Sequence, residues 1–279
     1  MAETAAAVGA ERIAAAFAAA RAEGRAALMP YLMAGFPNPA ESLEIARAYA
    51  EAGADLVEVG VPFSDPLADG PVIHEAGTRA LAEGATLDTA LELCSELAGS
   101  VAPVLMCYSN MVLTAGAVGF AAQLAEAGAA GAIVPDMPLE EGADVRQELA
   151  GRGLAMIPLV APTTPPERRR RICEAASGFV YVVSDTGVTG ERGELPSSLR
   201  DLVSAVREEA SVPAAVGFGI GTAAQAASVG RIADGVIIGS RLVRIVDEAQ
   251  GEGAAAAVAD FLRETREAMA AAGGSSATA

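Results

Sequence analysis

The first residue that invites chemistry is Glu58, a carboxylate set inside the apolar run Leu56-Val57-Glu58-Val59-Gly60. In a strand buried on both faces, two-residue alternation turns Val57 and Val59 one way and Glu58 the other. In a closed parallel sheet that other way is the lumen. There the carboxylate loses water, its pKa rises, and it can give or take a proton near neutrality. A buried glutamate paired with a lysine or arginine is the plainer reading, and the neighbouring sequence offers no such partner.

A stiff loop follows, Val61-Pro62-Phe63-Ser64-Asp65-Pro66-Leu67-Ala68-Asp69-Gly70-Pro71. Asp65 before proline and Asp69 before glycine are both in the positions of ordinary turn formers. Asp69 also lies near the end of the strand that carries Glu58, and two carboxyl groups reaching one pocket can divide acid and base work. Later in the chain, Gly217-Phe218-Gly219-Ile220 and Gly239-Ser240 follow the last two apolar runs. Backbone N–H groups in such loops, with the start of a helix, hold phosphate, and a Cβ would block its close approach. The segment Asp185-Thr186-Gly187-Val188-Thr189-Gly190-Glu191-Arg192-Gly193 suits a mobile lid or an ordinary flexible loop equally. Tyr31, Tyr108, Tyr181 and Phe218 all fall at strand ends, as the walls of a slot for a flat, apolar ligand would. His74, the sole histidine, reads as part of a helix start, and Arg168–Arg171 as a solvated helix face.

These side chains need a scaffold, and the chain supplies a repeating one. Short apolar runs occur at Ala27–Met33, Leu56–Gly60, Val104–Cys107, Gly131–Val134, Met156–Val160, Val180–Val183, Ala214–Gly217 and Gly235–Ile238. Each reads as a strand buried on both faces, and each is followed by a loop and an amphipathic, often alanine-rich stretch. The expected helices are Ala40–Ala52, Leu87–Leu97, Val118–Ala127, Glu140–Ala150, Pro165–Ala176, Pro196–Glu209, Ala223–Ser228 and Gly253–Ala271. Eight strand–helix units predict an α/β fold, a (β/α)8 TIM barrel, with active-site loops after the strands. Glu11–Ala22 is expected as an extra helix under the barrel. About 48 residues separate the starts of the second and third runs, too many for a plain crossover, so the loop after strand 2 is enlarged. One domain, 1–279, is expected, with tails at about 1–10 and 272–279 flexible.

Composition narrows the function. A formal net charge of −17 argues against nucleic acid as partner. Cys94, Cys107 and Cys173 have no paired spacing, so neither a disulfide framework nor a zinc site is expected. The start shows no secretion signal. The uncharged stretch Leu97–Ala125 is long enough to span a bilayer, but Pro103, Tyr108-Ser109-Asn110, Gly116 and Gly119 divide it into strand, loop and helix. A cytoplasmic enzyme without a membrane partner is the expectation.

The run from Glu58 to Pro71 resembles the signature of the tryptophan synthase alpha family almost letter for letter. Further matches lie in Pro30 to Pro37, Val134-Pro135-Asp136-Met137-Pro138, Ala161-Pro162-Thr163-Thr164, Gly187-Val188-Thr189-Gly190 and Gly217-Phe218-Gly219. The resemblance covers about Ile13 to Arg266. It implies cleavage of indole-3-glycerol phosphate to indole and glyceraldehyde 3-phosphate, late in tryptophan biosynthesis. Glu58 then matches the principal acid/base, Asp69 the second catalytic carboxylate, and Tyr181 a tyrosine that packs on substrate. Gly190, Gly219, Gly239 and Ser240 match the phosphate site, and Thr189 a lid residue that closes onto the second carboxylate. Tyr31 is assigned to substrate binding, and Phe218, Met106, Tyr108, Ile133 and Leu159 would line the indole slot. The resemblance further implies a beta chain in an alpha2–beta2 assembly. That partner carries pyridoxal phosphate, with no cofactor and no metal in this chain, and Asp65 and the loop after Asn110 communicate with it. Two departures stand out: His74 replaces the usual glutamine, and Cys107-Tyr108-Ser109-Asn110-Met111 replaces a more usual Tyr-Tyr-Asn-Pro. Other phosphate-binding barrels, such as sugar-phosphate isomerases or epimerases, a barrel kept only to activate a partner, and a free-standing indole producer are the alternatives.

Overall fold

In the computed structural model, which describes residues 9–184, 195–217, 219–249 and 253–274, the apolar runs form strands and the alanine-rich stretches form helices. The strands are β1 (Ala27–Met33), β2 (Leu56–Gly60), β3 (Ala102–Met106), β4 (Gly131–Ile133), β5 (Ala155–Ile157), β6 (Leu159–Val160), β7 (Val180–Val183), β8 (Ala214–Gly217) and β9 (Gly235–Ile238). They pair in parallel in the order β5-β4-β3-β2-β1-β9-β8-β7-β6. The two ends of this order, β5 and β6, are one stretch of chain interrupted at Pro158. Proline has no N–H to give to a ladder, although its carbonyl still accepts from the Tyr181 N–H at 2.9 Å. The single strand expected over Met156–Val160 is therefore two short ones. The sheet curls until its ends meet at Pro158, and nine segments occupy the eight positions of a TIM barrel.

The helices are α1 (Gly9–Ala22), α2 (Pro39–Glu51), α3 (Pro71–Ala82), α4 (Leu87–Leu97), α5 (Ser109–Glu126), α6 (Ala143–Ala150), α7 (Pro166–Glu174), α8 (Ser197–Glu209), α9 (Ala223–Gly230), α10 (Ser240–Ala249) and α11 (Ala254–Gly274). Helix α10 was not expected from the sequence, and of α3 only the start at His74 was. The surplus after β2 is thus a loop plus a helix, not a long loop. Within α5 the backbone breaks at Gly116, where φ is 69°; a positive φ suits glycine, and the stretch expected from Val118 is the half beyond the break.

Strand alternation creates two cores. Val57 and Val59 join the layer between sheet and helices, while Leu56, Met29, Val104 and Ile237 fill the lumen. Helix α1 closes the lower end of that lumen with Ile13, Phe17 and Ala20, and the Phe17 ring lies 5.7 Å from that of Phe179. The uncharged stretch from Leu97 divides into the end of α4, then β3, then the broken α5. Among the described residues no helix is long and apolar enough to cross a membrane.

Candidate active site

Glu58 sits in the middle of β2, in register with Tyr31 of β1 and Val104 of β3. Its neighbours Val57 and Val59 face the helices, so its side chain faces the lumen. Only 5% of the residue is exposed, and no ion pair holds it among the described residues. Burial, with Asp69 adding a like charge, pushes the carboxyl group up to about 8. At neutral pH it is therefore mainly the protonated acid.

Asp69 ends the loop after β2, where Gly70 caps α3 and Pro71 opens it. Proline at the first helical position lacks only an N–H that would have gone unused, so the loop is anchored immediately beyond the carboxylate. The Tyr108 hydroxyl bonds the Asp69 side chain and accepts from the Ala68 N–H at 3.1 Å. The Phe63 ring lies 5.1 Å from the Tyr108 ring. Partial burial raises the Asp69 pKa, while the Tyr108 hydrogen bond and the nearby His74 pull it down. One loop and one tyrosine thus hold a second carboxyl group opposite Glu58.

Tyr31 and Tyr181 complete the upper lumen, each buried. Each lies across a glycine on the adjacent strand. A Cβ built on Gly60 would sit 2.1 Å from the Tyr31 hydroxyl oxygen, and one on Gly217 2.2 Å from that of Tyr181. These two glycines make the room the rings occupy. Both phenols are driven above their ordinary pKa by burial, reinforced by Asp69 and Glu58.

Glu58, Asp69, Tyr31 and Tyr181 line one cavity of about 340 Å³, together with Gly219, Gly239 and Ser240. Its apolar walls include Met106, Ile73, Ile220 and Ile237. The cavity is also lined by Gly219, with φ 75°, and by Ser240, where α10 starts. The first N–H groups of a helix have no intrahelical acceptor and favour an anion. A Cβ on Gly239 would meet protein atoms no closer than 3.6 Å. The packing therefore does not require glycine there, and the absent side chain widens the cavity instead.

Several sequence candidates fall elsewhere. Tyr108 is buried behind the wall on Asp69, not at its surface. Ile133 packs deeper in the lumen core, and Leu159 lines a separate recess beneath the loop after β4. Asp65 is exposed on the loop, accepting from the Ser64 hydroxyl at 2.5 Å. Thr189, Gly190 and Phe218 lie outside the described residues. Ile73, Ile220, Ile237, Arg241 and Arg244 join the wall without having stood out in the sequence. The signal for the arginines was present: Ser240, Arg241 and Arg244 share the first turns of α10. Among the described residues no group of three or more His, Cys, Asp or Glu gathers as a metal site would.

The cavity thus brings together two carboxyl groups, apolar walls, loop glycines and the start of a helix. A family model described as tryptophan synthase alpha chain matches residues 17–272. The tryptophan synthase alpha chain of Chloroflexus aurantiacus is 47% identical over 262 residues, 93% of this chain and 98% of that one. That of a Roseiflexus species is 49% identical over 259 residues, 91% and 99% of the two chains. Among solved structures, aminoacrylate-bound tryptophan synthase from M. tuberculosis matches with a TM-score of 0.84 at 35% identity, covering 92% of this chain and 99% of the matched one. Tryptophan synthase subunit alpha from Legionella pneumophila matches with a TM-score of 0.84 at 34% identity, covering 92% and 98%.

Proposed function

This chain belongs to the tryptophan synthase alpha chain family, and from that premise we infer how its cavity splits indole-3-glycerol phosphate into indole and glyceraldehyde 3-phosphate. The indole ring lies in the apolar slot and the phosphate on the glycines and helix start at the other end. Glu58, protonated at neutrality, delivers its proton to the indole carbon that bears the side chain. The ring becomes a cation, and Asp69, hydrogen-bonded to the ring N–H, stabilises it. Glu58, now a carboxylate, takes the proton from the adjacent side-chain hydroxyl. That oxygen becomes the aldehyde carbonyl as the carbon–carbon bond breaks, and the bonding pair returns to the ring, which leaves as indole. Tyr31 and Tyr181 exclude water and hold Glu58 against the ring.

One observation carries this reading: a carboxyl group buried in the lumen, raised to about 8, facing a second carboxyl group and no paired cation among the described residues. Two groups with differently shifted pKa values in one pocket are suited to sequential acid and base steps.

A beta-chain partner goes with membership of this family. We propose an alpha2–beta2 assembly in the cytoplasm in which the partner carries pyridoxal phosphate and receives the indole. The chain contains no lysine, so the Schiff base that cofactor needs cannot form on it. Leu67, on the same loop as Asp65, is 87% exposed, and Leu113 and Val118, on either side of the break in α5, are 74% and 59% exposed. Large apolar side chains in solvent on the loop after β2 and on the broken helix after β3 fit a surface that a protein partner covers.

The test is indole release from indole-3-glycerol phosphate by the purified chain, alone and with a beta chain. Slow release alone and strong acceleration in the complex are expected. Absence of indole in both conditions would overturn the reading, and fast partner-independent release would mark a free-standing enzyme.

A further inference from the structure

All 19 basic residues of this chain are arginines, and Arg244 lines the active cavity while making no ion pair among the described residues. Arg244 lies one turn beyond Ser240 on α10, and residues four apart share a helix face. Both line the active cavity beside Gly219, Gly221 and Gly239. The natural partners for a guanidinium here are the carboxylates three and four residues further on. Both are taken: Asp247 pairs with Arg79. Glu248 pairs with Arg241 at 3.4 Å, whose guanidinium also lies 5.9 Å from the Phe261 ring centroid. Glu75 shares a second recess with Arg244 but makes no ion pair with it among the described residues. The Arg244 charge is left unspent at the edge of the cavity.

That placement matters because the protein as a whole disfavours an anion. The chain carries a net charge of −17, and the same cavity holds the carboxyl group of Asp69. Backbone N–H groups at the start of α10 contribute only partial positive charge. A guanidinium at the edge of the pocket adds a full one for a phosphate dianion.

We propose that Arg244 reads the phosphate of the substrate, its guanidinium reaching from the second turn of α10 to make a charge-assisted hydrogen bond to the group that the loop glycines and Ser240 seat. The proposal rests on the reading that this cavity takes indole-3-glycerol phosphate. Arg244 selects for phosphorylated substrate and draws it in, and takes no part in the proton transfers.

The experiment is steady-state cleavage by the full chain with its beta partner, comparing wild type with Arg244→Lys, Arg244→Gln and Arg244→Glu. Arg244 is exposed on its helix, so these variants are expected to fold, with circular dichroism as the check. The expected KM rises in the order Lys, Gln, Glu, with a change on the order of tenfold for Gln, and kcat stays within about twofold. Inorganic phosphate as a competitive inhibitor weakens in parallel, indole binding stays unchanged, and kcat/KM of the Gln variant depends less on ionic strength. A wild-type KM and salt dependence in Arg244→Gln, or a loss confined to kcat, overturns the proposal alone. If wild type releases no indole, the functional reading falls and this proposal with it.

Discussion

The two ends of the barrel treat charge in opposite ways. At the lower end, Arg25 is 6% exposed and its guanidinium bonds both oxygens of Asp55, at 2.5 and 2.9 Å. Asp55 also accepts the Leu28 N–H at 2.7 Å. Arg12 donates to the carbonyls of Gly128, Ala98 and Val101 at 3.0, 2.7 and 2.7 Å, and Asp234 lies between Arg21 and Arg207. At the upper end Glu58 is as deeply buried and has no such partner among the described residues. The lower end even holds the larger cavity, about 550 Å³ against about 340 Å³. Volume therefore does not find the site; a buried carboxyl group without a paired cation does. A buried ion closed on its neighbours holds shape, whereas one left open keeps its electrostatic cost until a ligand or a proton relieves it.

The sharpest way to break this contrast is Glu58→Gln. It should reduce kcat by about 10³-fold while leaving substrate binding nearly intact; normal turnover would remove Glu58 from the chemistry. The same variant tests the cost of leaving the charge open. The folded pKa of Glu58 is raised from an ordinary carboxylate value of 4.5 to about 8. Between those values the folded state holds more protons than the unfolded one, so stability falls as pH rises. Denaturation midpoints of wild type should drop relative to Glu58→Gln from about pH 4.5 to about pH 8, then run parallel. A constant gap would contradict the raised pKa.

At the other end, Asp55→Ala should lower stability by about 3 kcal/mol, since it leaves a buried guanidinium only Glu23 and the Ala26 carbonyl as partners, with kcat per folded molecule unchanged. A catalytic defect in that variant would blur the distinction between the two ends. Asp69→Asn should cost on the order of 10²-fold in kcat with little change in melting temperature, because the amide keeps the shape but stabilises a ring cation poorly. The smallest effect belongs to His74→Gln. The residue is exposed in the first turn of α3, and its influence on Asp69 is through charge alone. Activity within about twofold of wild type is expected in steady-state indole release.

Much of this was legible before any coordinates, for identifiable reasons. Glu58 could be placed because alternation in a doubly buried strand leaves no choice of face, and the outward turn of Val57 and Val59 agrees with it. The loop glycines after β8 and β9 could be placed because a barrel fixes which loops share an end. The start of α3 was legible at His74, but its extent, and helix α10, were missed although their patterns were present. Ile73, Ala76, Gly77 and Ala80 mark one buried face, and Leu242, Val243, Ile245 and Val246 another. In both cases the preceding turn residues drew the reading toward loop. The position of Tyr108 was beyond local pattern. Its hydroxyl meets Asp69 and Ala68 from another strand end, and only closure of the barrel brings them together. Pro158 is the reverse case: its missing N–H was visible, and its effect on the strand around it could have been read from the residue alone.

The glycines beneath the two tyrosine rings bear on how this site can change over generations. Tyr31 with Gly60, and Tyr181 with Gly217, are each one volume shared between two strands. Neither member can be exchanged on its own: a methyl group at Gly60 evicts the ring, and losing the ring leaves a hole that water can enter. Lineages that keep this lumen dry should therefore inherit each tyrosine together with its glycine, and a descendant that widens one should be found to have shrunk the other.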